Sequence, residues 1–293
     1  MVTSPPFLLL IAATLFSTGG AVIKAVALTG WQRASFRSAI AALFLVIVLP
    51  QSRRLPSART LFVGLCYAAT MVTFVLANTY ATSATAIFVQ DLAPLFVLLL
   101  APRLLGERIH RRDVIFMVVL GALFSLLISA PERASLTASD PTLGLCYAIA
   151  SCVGWAVTLL GLRLLSRGRN SKEPDAAAQA LVVGNVFAFL GALPLALPVA
   201  TIAARDLLLL GYLGVFQIGV AYLCLARGLR AVPAIAASFL LMLEPVLNPF
   251  WTWLVHDEVP ATLTLIAGAG ILVATAVHAA KSSSDDLGAK TPP

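Results

Sequence analysis

The segments TSATAIFVQDLAPLFVLLLAPRLLGERI (residues 82–109) and AIAASFLLMLEPVLNPFWTWLVHDEV (residues 234–259) decide the fold of this chain. At an offset of 151 residues they match in residue type at several positions: Ala86, Phe88, Leu92, Pro94 and Glu107 fall on Ala237, Phe239, Leu243, Pro245 and Glu258. Chance similarity between apolar segments is the alternative, since Ala and Leu match easily. The paired Pro and Glu matches at one offset favour an internal repeat.

Both segments lie in a chain that is too apolar for an ordinary soluble domain. Hydrophobic residues make up 60% of the sequence, charged residues 11%, and the mean hydropathy is +0.95, whereas soluble domains are about 25% charged. A helix needs about 20 apolar residues to cross the hydrocarbon layer. We find ten such windows, at residues 7–28, 32–49, 59–81, 84–104, 113–130, 142–165, 176–197, 206–226, 232–256 and 261–280.

The first and sixth windows also match each other, at an offset of 135 residues. Leu8, Leu10, Ala13, Gly19, Ala21 and Val22 fall on Leu143, Leu145, Ala148, Gly154, Ala156 and Val157. Each half holds five windows, an odd number, so the second half enters the membrane from the opposite side. We therefore predict an all-α polytopic membrane protein whose ten transmembrane helices form two inverted five-helix repeats, residues 1–130 and 141–280. The polar residues 281–293 are expected to be a disordered cytoplasmic tail.

Small residues recur every fourth position in the first and sixth windows. They are Ala13, Ser17 and Ala21 in one and Ala148, Cys152 and Ala156 in the other. Small side chains let helices approach closely in lipid, so we expect these stripes to be helix contacts.

The Lys and Arg residues are concentrated on one predicted side of the membrane. Of the 20 Lys and Arg residues, all but Lys24, Arg33, Arg37, Arg133 and Arg205 fall in links on the side of the N-terminus. Such a bias places both termini in the cytoplasm. The net charge of +7 therefore gives no reason to expect a nucleic-acid partner.

The two quoted segments resemble the signature of the drug/metabolite transporter superfamily, EamA type. Pro94 and Gly106-Glu107 match the family pattern in the first half, and Glu244-Pro245 matches it in the second. Asp257-Glu258 departs from the Gly-Glu of that pattern at its first residue.

Two further features of the first half extend the resemblance. Arg37 is followed by a stretch rich in small residues, and Lys24 lies near the end of helix one, although the usual Trp-Gly before it is replaced by residues 16–19, FSTG. The likeness covers about residues 7–280. It implies an inner-membrane permease that exports amino acids, amines or other small metabolites without a cofactor.

Two prolines and four ionisable residues stand out inside the predicted spans. Pro94 and Pro245 each free a backbone carbonyl, so we interpret them as hinges beside a central cavity, with a simple packing kink as the alternative. Glu244 lies in mid-span, where an unpaired carboxylate is costly, and is our candidate for proton coupling, with a neutral carboxyl bonded to a neighbouring helix as the alternative. We interpret Asp91 as a partner for Lys24 or Arg37, with extension of these charged groups to the outer interface as the alternative.

Uncharged polar and aromatic side chains within the spans are candidates for the cavity wall. These are Asn78, Tyr80, Gln90, Trp155, Asn185, Gln217, Tyr222 and Asn248. Trp155 is the preferred aromatic wall for a substrate, with a tryptophan packed in the core as the commoner alternative. Most Asn and Gln residues in membranes join helices.

Two other classes of protein are the alternatives to a transporter. An intramembrane enzyme lacks support because the sequence has neither an HExxH pair nor a phosphate-binding G-x-x-x-x-G-K-[ST] loop. A non-transporting scaffold would need neither a mid-membrane carboxylate nor an inverted repeat. The expected partners are a small-molecule substrate, the lipid bilayer and protons, with the choice between monomer and homodimer left open.

Overall fold

The computed structural model describes residues 4–53, 55–93, 95–97, 99–100, 111–129, 137–166, 176–228, 240–241 and 243–288. These residues form helices and short connections, without a strand among them. We label the helices in chain order: α1 (Pro5–Ser17 and Gly19–Ala25), α2 (Gly30–Val48), α3 (Ala58–Tyr80), α4 (Ser83–Gln90), α5 (Arg111–Ile128), α6 (Pro141–Ser166), α7 (Ala176–Ala196), α8 (Ala204–Tyr212, Leu213–Val220 and Ala221–Gly228), α9 (Leu243–His256) and α10 (Thr262–Gly288).

Every predicted span overlaps one of these helices, but not all are clear membrane spans. Among the described residues, six helices are long and apolar enough to cross a bilayer: Pro5–Ala25, Gly30–Val48, Ala58–Tyr80, Pro141–Leu162, Ala176–Ala196 and Ala204–Leu225. Shorter apolar helices cover Ser83–Val97 and Thr262–His278. The all-helical membrane fold is thus confirmed, whereas the number of ten crossings stays a prediction.

Polar caps fix where several helices begin. Thr29 accepts a hydrogen bond from the Gln32 backbone and Gln32 bonds back, forming a capping box at the start of α2. Ser57 caps α3, and Thr82 caps α4 through the Thr85 amide. Each cap satisfies an N–H group that lipid could not satisfy.

Within the part of the chain that the structure describes, α1 and α8 depart from regular α geometry. α1 is interrupted by a turn at Thr18. In α8, residues Leu213–Val220 form a π-helix, a widened turn that is rare and often found at functional sites.

The end of the chain differs from expectation. α10 continues to Gly288, so residues 281–288 of the predicted disordered tail are helical. The stretch AKSSSDDL contains neither Pro nor Gly, and an existing helix extends easily through such residues. Residues 289–293 lie outside the described part of the chain.

The two halves pack on each other through α3, which contacts α6 and α7 extensively, while α2 lies along α7. Glycines allow this close approach: a Cβ on Gly64 would meet the Ala180 carbonyl oxygen of α7 at 3.2 Å. The predicted small-residue stripes are buried at all six positions, with exposures of 4% or less. Van der Waals contact between closely spaced backbones stabilises such an interface in lipid.

Candidate functional site

A narrow cavity lies between the two halves, with walls from both. Its polar lining consists of Arg37, Gln90, Asp91, Gln217, Tyr222 and Glu244, and its apolar lining of Phe16, Met71, Phe74, Ile87, Trp155 and Ile218. Its volume is about 80 Å³, where about 10–15 Å³ accommodates one water molecule. The cavity therefore has room for several waters or for one small polar molecule.

Arg37 of α2 supplies a buried cation. Its side chain is only 1% exposed, and Nη2 donates to the Met71 carbonyl oxygen at 3.0 Å. Nε has no hydrogen-bond partner among the described residues. Tyr67 and Tyr222 are close enough to interact with the guanidinium electrostatically. A buried guanidinium with a free donor is suited to bind a carboxylate or a similar anion.

Asp91 and Glu244 supply two carboxyl groups to the same cavity. Asp91 caps the C-terminal end of α4, and its Oδ2 is buried without a hydrogen-bond partner in the described chain. Glu244 lies in the first turn of α9, and the two groups interact electrostatically. Two neighbouring carboxylates repel each other when both are ionised, so a proton or a cationic solute group stabilises the pair.

An aromatic wall closes one side of the cavity. The rings of Phe16 and Tyr222 meet edge-on with centroids 5.0 Å apart, and Tyr67 meets Tyr222 at 5.7 Å. Trp155 of α6 also faces the cavity. Aromatic faces attract cationic groups and pack on apolar ones.

The π-helical stretch of α8 places Gln217 in the cavity wall. The side chain is 6% exposed and its Oε1 has no hydrogen-bond partner among the described residues. It packs over Gly19 of α1, where a Cβ would come within 2.9 Å of Gln217 Nε2. Gln217 is therefore a buried amide with an acceptor free for a solute.

A second group of polar atoms lies away from the cavity, around Lys24 and Glu258. Their side chains form an ion pair at 2.8 Å and are 4% and 2% exposed. Glu258 Oε1 accepts from the Ser83 amide at 2.6 Å. Lys24 Nζ also donates to the carbonyl oxygens of Ala81, at 2.8 Å, and Thr137. We call these five residues the Lys24–Glu258 cluster.

A sharp turn after α9 brings Glu258 into this cluster. Asp257 has a φ of 51°, in the left-handed region that Gly adopts without strain and Asp tolerates. The sequence repeat matches Asp257 to Gly106, so the residue that departs from the family's Gly-Glu adopts a backbone typical of glycine.

The comparison with protein families decides the class. The model of the EamA-like transporter family matches residues 3–129 and again residues 142–279, one half after the other. The chain belongs to the EamA-like transporter family. It is therefore an integral membrane transporter of the drug/metabolite type, as the sequence resemblance implied.

A solved structure adds support for the fold of this EamA-like transporter. A crystal structure of another protein superimposes with a TM-score of 0.63 over 93% of this chain and 95% of that chain, at 19% sequence identity. No curated protein matches the sequence. At that identity the likeness concerns the fold alone.

The cavity of the EamA-like transporter brings together seven of the residues selected from the sequence. They are Arg37, Gln90, Asp91, Trp155, Gln217, Tyr222 and Glu244. The apolar residues of the lining, such as Phe16 and Ile218, were missed, because apolar side chains give no signal of function in an apolar span.

Four other candidates from the sequence lie elsewhere. Asn78 accepts from Ser83 Oγ at 2.8 Å, and Asn185 donates to the Leu181 carbonyl oxygen at 2.9 Å. Tyr80 stacks on Tyr147 at the end of α3. Asn248 is buried beside α1 and α4 rather than in the cavity.

The expected partner of Asp91 was wrong. Lys24 pairs with Glu258, and Arg37 bonds to the Met71 backbone, so Asp91 forms an ion pair with neither cation in the described residues. Lys24 is held by the connections at the ends of α3 and α9, and therefore it does not extend to Asp91 at the C-terminal end of α4.

Only one of the two hinge candidates lies among the described residues. Pro94 lies outside the described residues. Pro245 is buried in the first turn of α9, and a further proline, Pro249, lies inside that helix. Pro249 cannot donate to the carbonyl four residues earlier, so α9 carries a weakened turn between cavity and Lys24–Glu258 cluster.

Proposed function

We propose that this EamA-like transporter exports small metabolites that carry both an ammonium and a carboxylate group, or an amine alone, by alternating access across the inner membrane. One observation carries the proposal: a single cavity between the halves holds a buried cation, Arg37, and two carboxyl groups, Asp91 and Glu244. An amino acid complements this arrangement, with its carboxylate on Arg37 and its ammonium on the carboxyl groups. Trp155 and Tyr222 would pack against its side chain.

Proton coupling follows from the same groups. Asp91 and Glu244 interact with each other and belong to helices of different halves, so an opening motion changes their separation and hydration. A carboxyl group that binds a proton in one state and a solute ammonium in the other couples the two fluxes. Glu244 is our candidate for this role, with Asp91 as its partner.

The proposed topology rests on the two family matches and on the distribution of charge. With inverted halves and both termini in the cytoplasm, the Lys24–Glu258 cluster lies on the outer side. Its ion pair and hydrogen bonds join the ends of α1, α3, α4 and α9 at that side. The structure would then be closed to the outside.

Reconstituted protein tests the proposal. Proteoliposomes are loaded with radiolabelled amino acids and amines, and efflux is followed with and without an imposed pH gradient. We expect gradient-driven flux in the wild type. Glu244→Gln should lose the response to the gradient but keep exchange of labelled for unlabelled solute, because exchange needs no net proton movement.

A matched control separates coupling from a general loss of charge. Asp257→Asn removes a carboxylate from the turn after α9, outside the cavity, and Asn tolerates its φ of 51°. It should leave the pH response unchanged. An unaltered pH response in Glu244→Gln would remove Glu244 from the mechanism, and an absence of flux for every solute tested would favour a scaffold instead.

A further inference from the structure

Three helices continue from the cavity towards the Lys24–Glu258 cluster. α1 contributes Phe16 to the cavity and Gly20 four residues later, and α9 contributes Glu244 and then Asn248. α4 runs the other way, so Ser83 lies four residues before the cavity residue Ile87. Side chains four apart share a helix face and are separated by about 6 Å along the axis. Gly20, Ser83 and Asn248 therefore form the next layer beyond the cavity.

Asn248 has an unusual environment in this layer. Its side chain is 0% exposed, and neither Oδ1 nor Nδ2 has a hydrogen-bond partner in the described chain. A buried amide without partners is costly, and an interior amide normally bonds to a neighbouring helix. The amide of Asn248 therefore offers a donor and an acceptor that a solute could use.

Gly20 of α1 lies against both polar side chains of this layer. A Cβ built on Gly20 would lie 2.6 Å from Asn248 Oδ1 and 2.7 Å from Ser83 Oγ, so both polar atoms face the backbone of α1. Ser83 Oγ meanwhile donates to Asn78 Oδ1 at 2.8 Å. If α1 moved away from α4 and α9, the amide and the hydroxyl would line the opening together.

The Lys24–Glu258 cluster keeps α1 in place. Lys24 is four residues beyond Gly20 on α1, and its ion pair with Glu258 ties α1 to the end of α9. Glu258 in turn bonds the Ser83 amide, so the same carboxylate holds the first turn of α4. Breaking the Lys24–Glu258 contact therefore releases the three helices that enclose Asn248.

We infer that Asn248 and Ser83 form a second solute site, which binds the hydrogen-bonding end of the transported molecule between the cavity and the membrane surface, with the Lys24–Glu258 ion pair as its gate. This inference rests on the proposed transport function for the solute, but the gate is testable without one. The site takes groups that both donate and accept hydrogen bonds, since the amide offers both.

Cysteine accessibility tests the gate. Asn248→Cys is placed in a variant whose four native cysteines are replaced by alanine. A membrane-impermeant cationic methanethiosulfonate is applied to right-side-out and inside-out vesicles. Lys24→Gln and Glu258→Gln should each accelerate labelling at least about tenfold, a factor that corresponds to about 1.4 kcal/mol in the opening equilibrium.

The two gate variants control for each other. They change the local charge in opposite directions, so an acceleration in both reports opening rather than attraction of the cationic reagent. The charge-reversed pair Lys24→Glu with Glu258→Lys regains the ion pair but not the hydrogen bonds to Ala81 and Ser83, so it should slow labelling only in part. Val246→Cys and Phe250→Cys, on the exposed apolar face of α9 at 54% and 45% exposure, should stay unlabelled throughout.

The outcomes separate the gate from the proposed function. Equal labelling of Asn248→Cys with the gate intact and broken, from both sides, would overturn the gate. Acceleration from the inside alone would support the gate and contradict the proposed topology. Folding is checked by size-exclusion chromatography, and the Val246→Cys variant with its gate intact supplies a folded comparison.

The solute site has its own test, with radiolabelled amino acids as the probe. Asn248→Leu should lower efflux about tenfold, as expected for one lost hydrogen bond to the solute, whereas Val246→Leu on the opposite face should not. Wild-type efflux in Asn248→Leu would overturn the site and leave the cavity intact as the transport site. An absence of efflux in the wild type would overturn the solute site together with the proposed function.

Discussion

The contact between α3 and α7 makes a sharp prediction about how the halves are held together. Gly184 of α7 is buried, and a Cβ there would lie 2.8 Å from the Gly64 carbonyl oxygen of α3 and 3.1 Å from Tyr67 Cβ. Neither atom can rotate away, because one belongs to the backbone and the other is attached to it. Gly191 of the same helix is exposed and has nothing within 4 Å of its Cβ position.

Alanine at Gly184 must therefore push α3 and α7 apart. Carbon and oxygen atoms normally approach to about 3.3–3.6 Å, so the helices have to separate by about half an ångström or more at this point. Overpacking of this kind costs about 1–3 kcal/mol. Both Gly184→Ala and Gly191→Ala gain up to about 1 kcal/mol of helix propensity, so that gain cancels between the two variants.

The free energy of unfolding is measured in mixed dodecyl maltoside and sodium dodecyl sulfate micelles, by circular dichroism and tryptophan fluorescence. We expect Gly184→Ala to be less stable than Gly191→Ala by about 1–3 kcal/mol. Two variants within about 0.5 kcal/mol of each other, the usual range for surface changes, would refute the close contact of α3 with α7.

Two more predictions concern α1 and α9. Lys24→Met leaves Glu258 buried and unpaired and should lower the free energy of unfolding by about 3–5 kcal/mol. The double variant Lys24→Met with Glu258→Gln should recover part of this loss. A double variant no more stable than the single one would contradict the ion pair. Ser17→Ala removes the acceptor of the Trp251 Nε1 hydrogen bond, which is 3.0 Å long. It should lower the free energy of unfolding by about 1 kcal/mol and shift the tryptophan emission. An unchanged emission spectrum and stability would contradict that hydrogen bond.

Much of the fold could be predicted from the sequence because apolar length and internal repetition are directly visible in it. The pairing of Pro94 and Glu107 with Pro245 and Glu258 led to the family that the family model confirms for both halves. Irregular backbone was not predicted. Residues Leu213–Val220 are apolar apart from Gln217, and such a stretch does not reveal whether each amide bonds four or five residues back.

The site was partly predictable because depth in the membrane can be estimated from position in a span. Asp91 was placed in the outer half of its span and Glu244 in mid-span, and the structure brings both to the cavity. Rotation about the helix axis is set by packing, so Asn185 faces Tyr67 instead. The partner of Lys24 was missed because Glu258 was assigned to a loop, whereas the turn at Asp257 buries it.

The widened turn in α8 also makes the two halves unequal. Each π turn holds about one residue more than an α turn, which rotates everything after it by about 100°. α3, the third helix of the first half as α8 is of the second, is α-helical from Ala58 to Tyr80. Under the proposed inversion, matched positions past Val220 point in different directions from their counterparts. In the proposed alternating-access cycle, such halves would give two end states of different free energy, and one orientation would be favoured at rest.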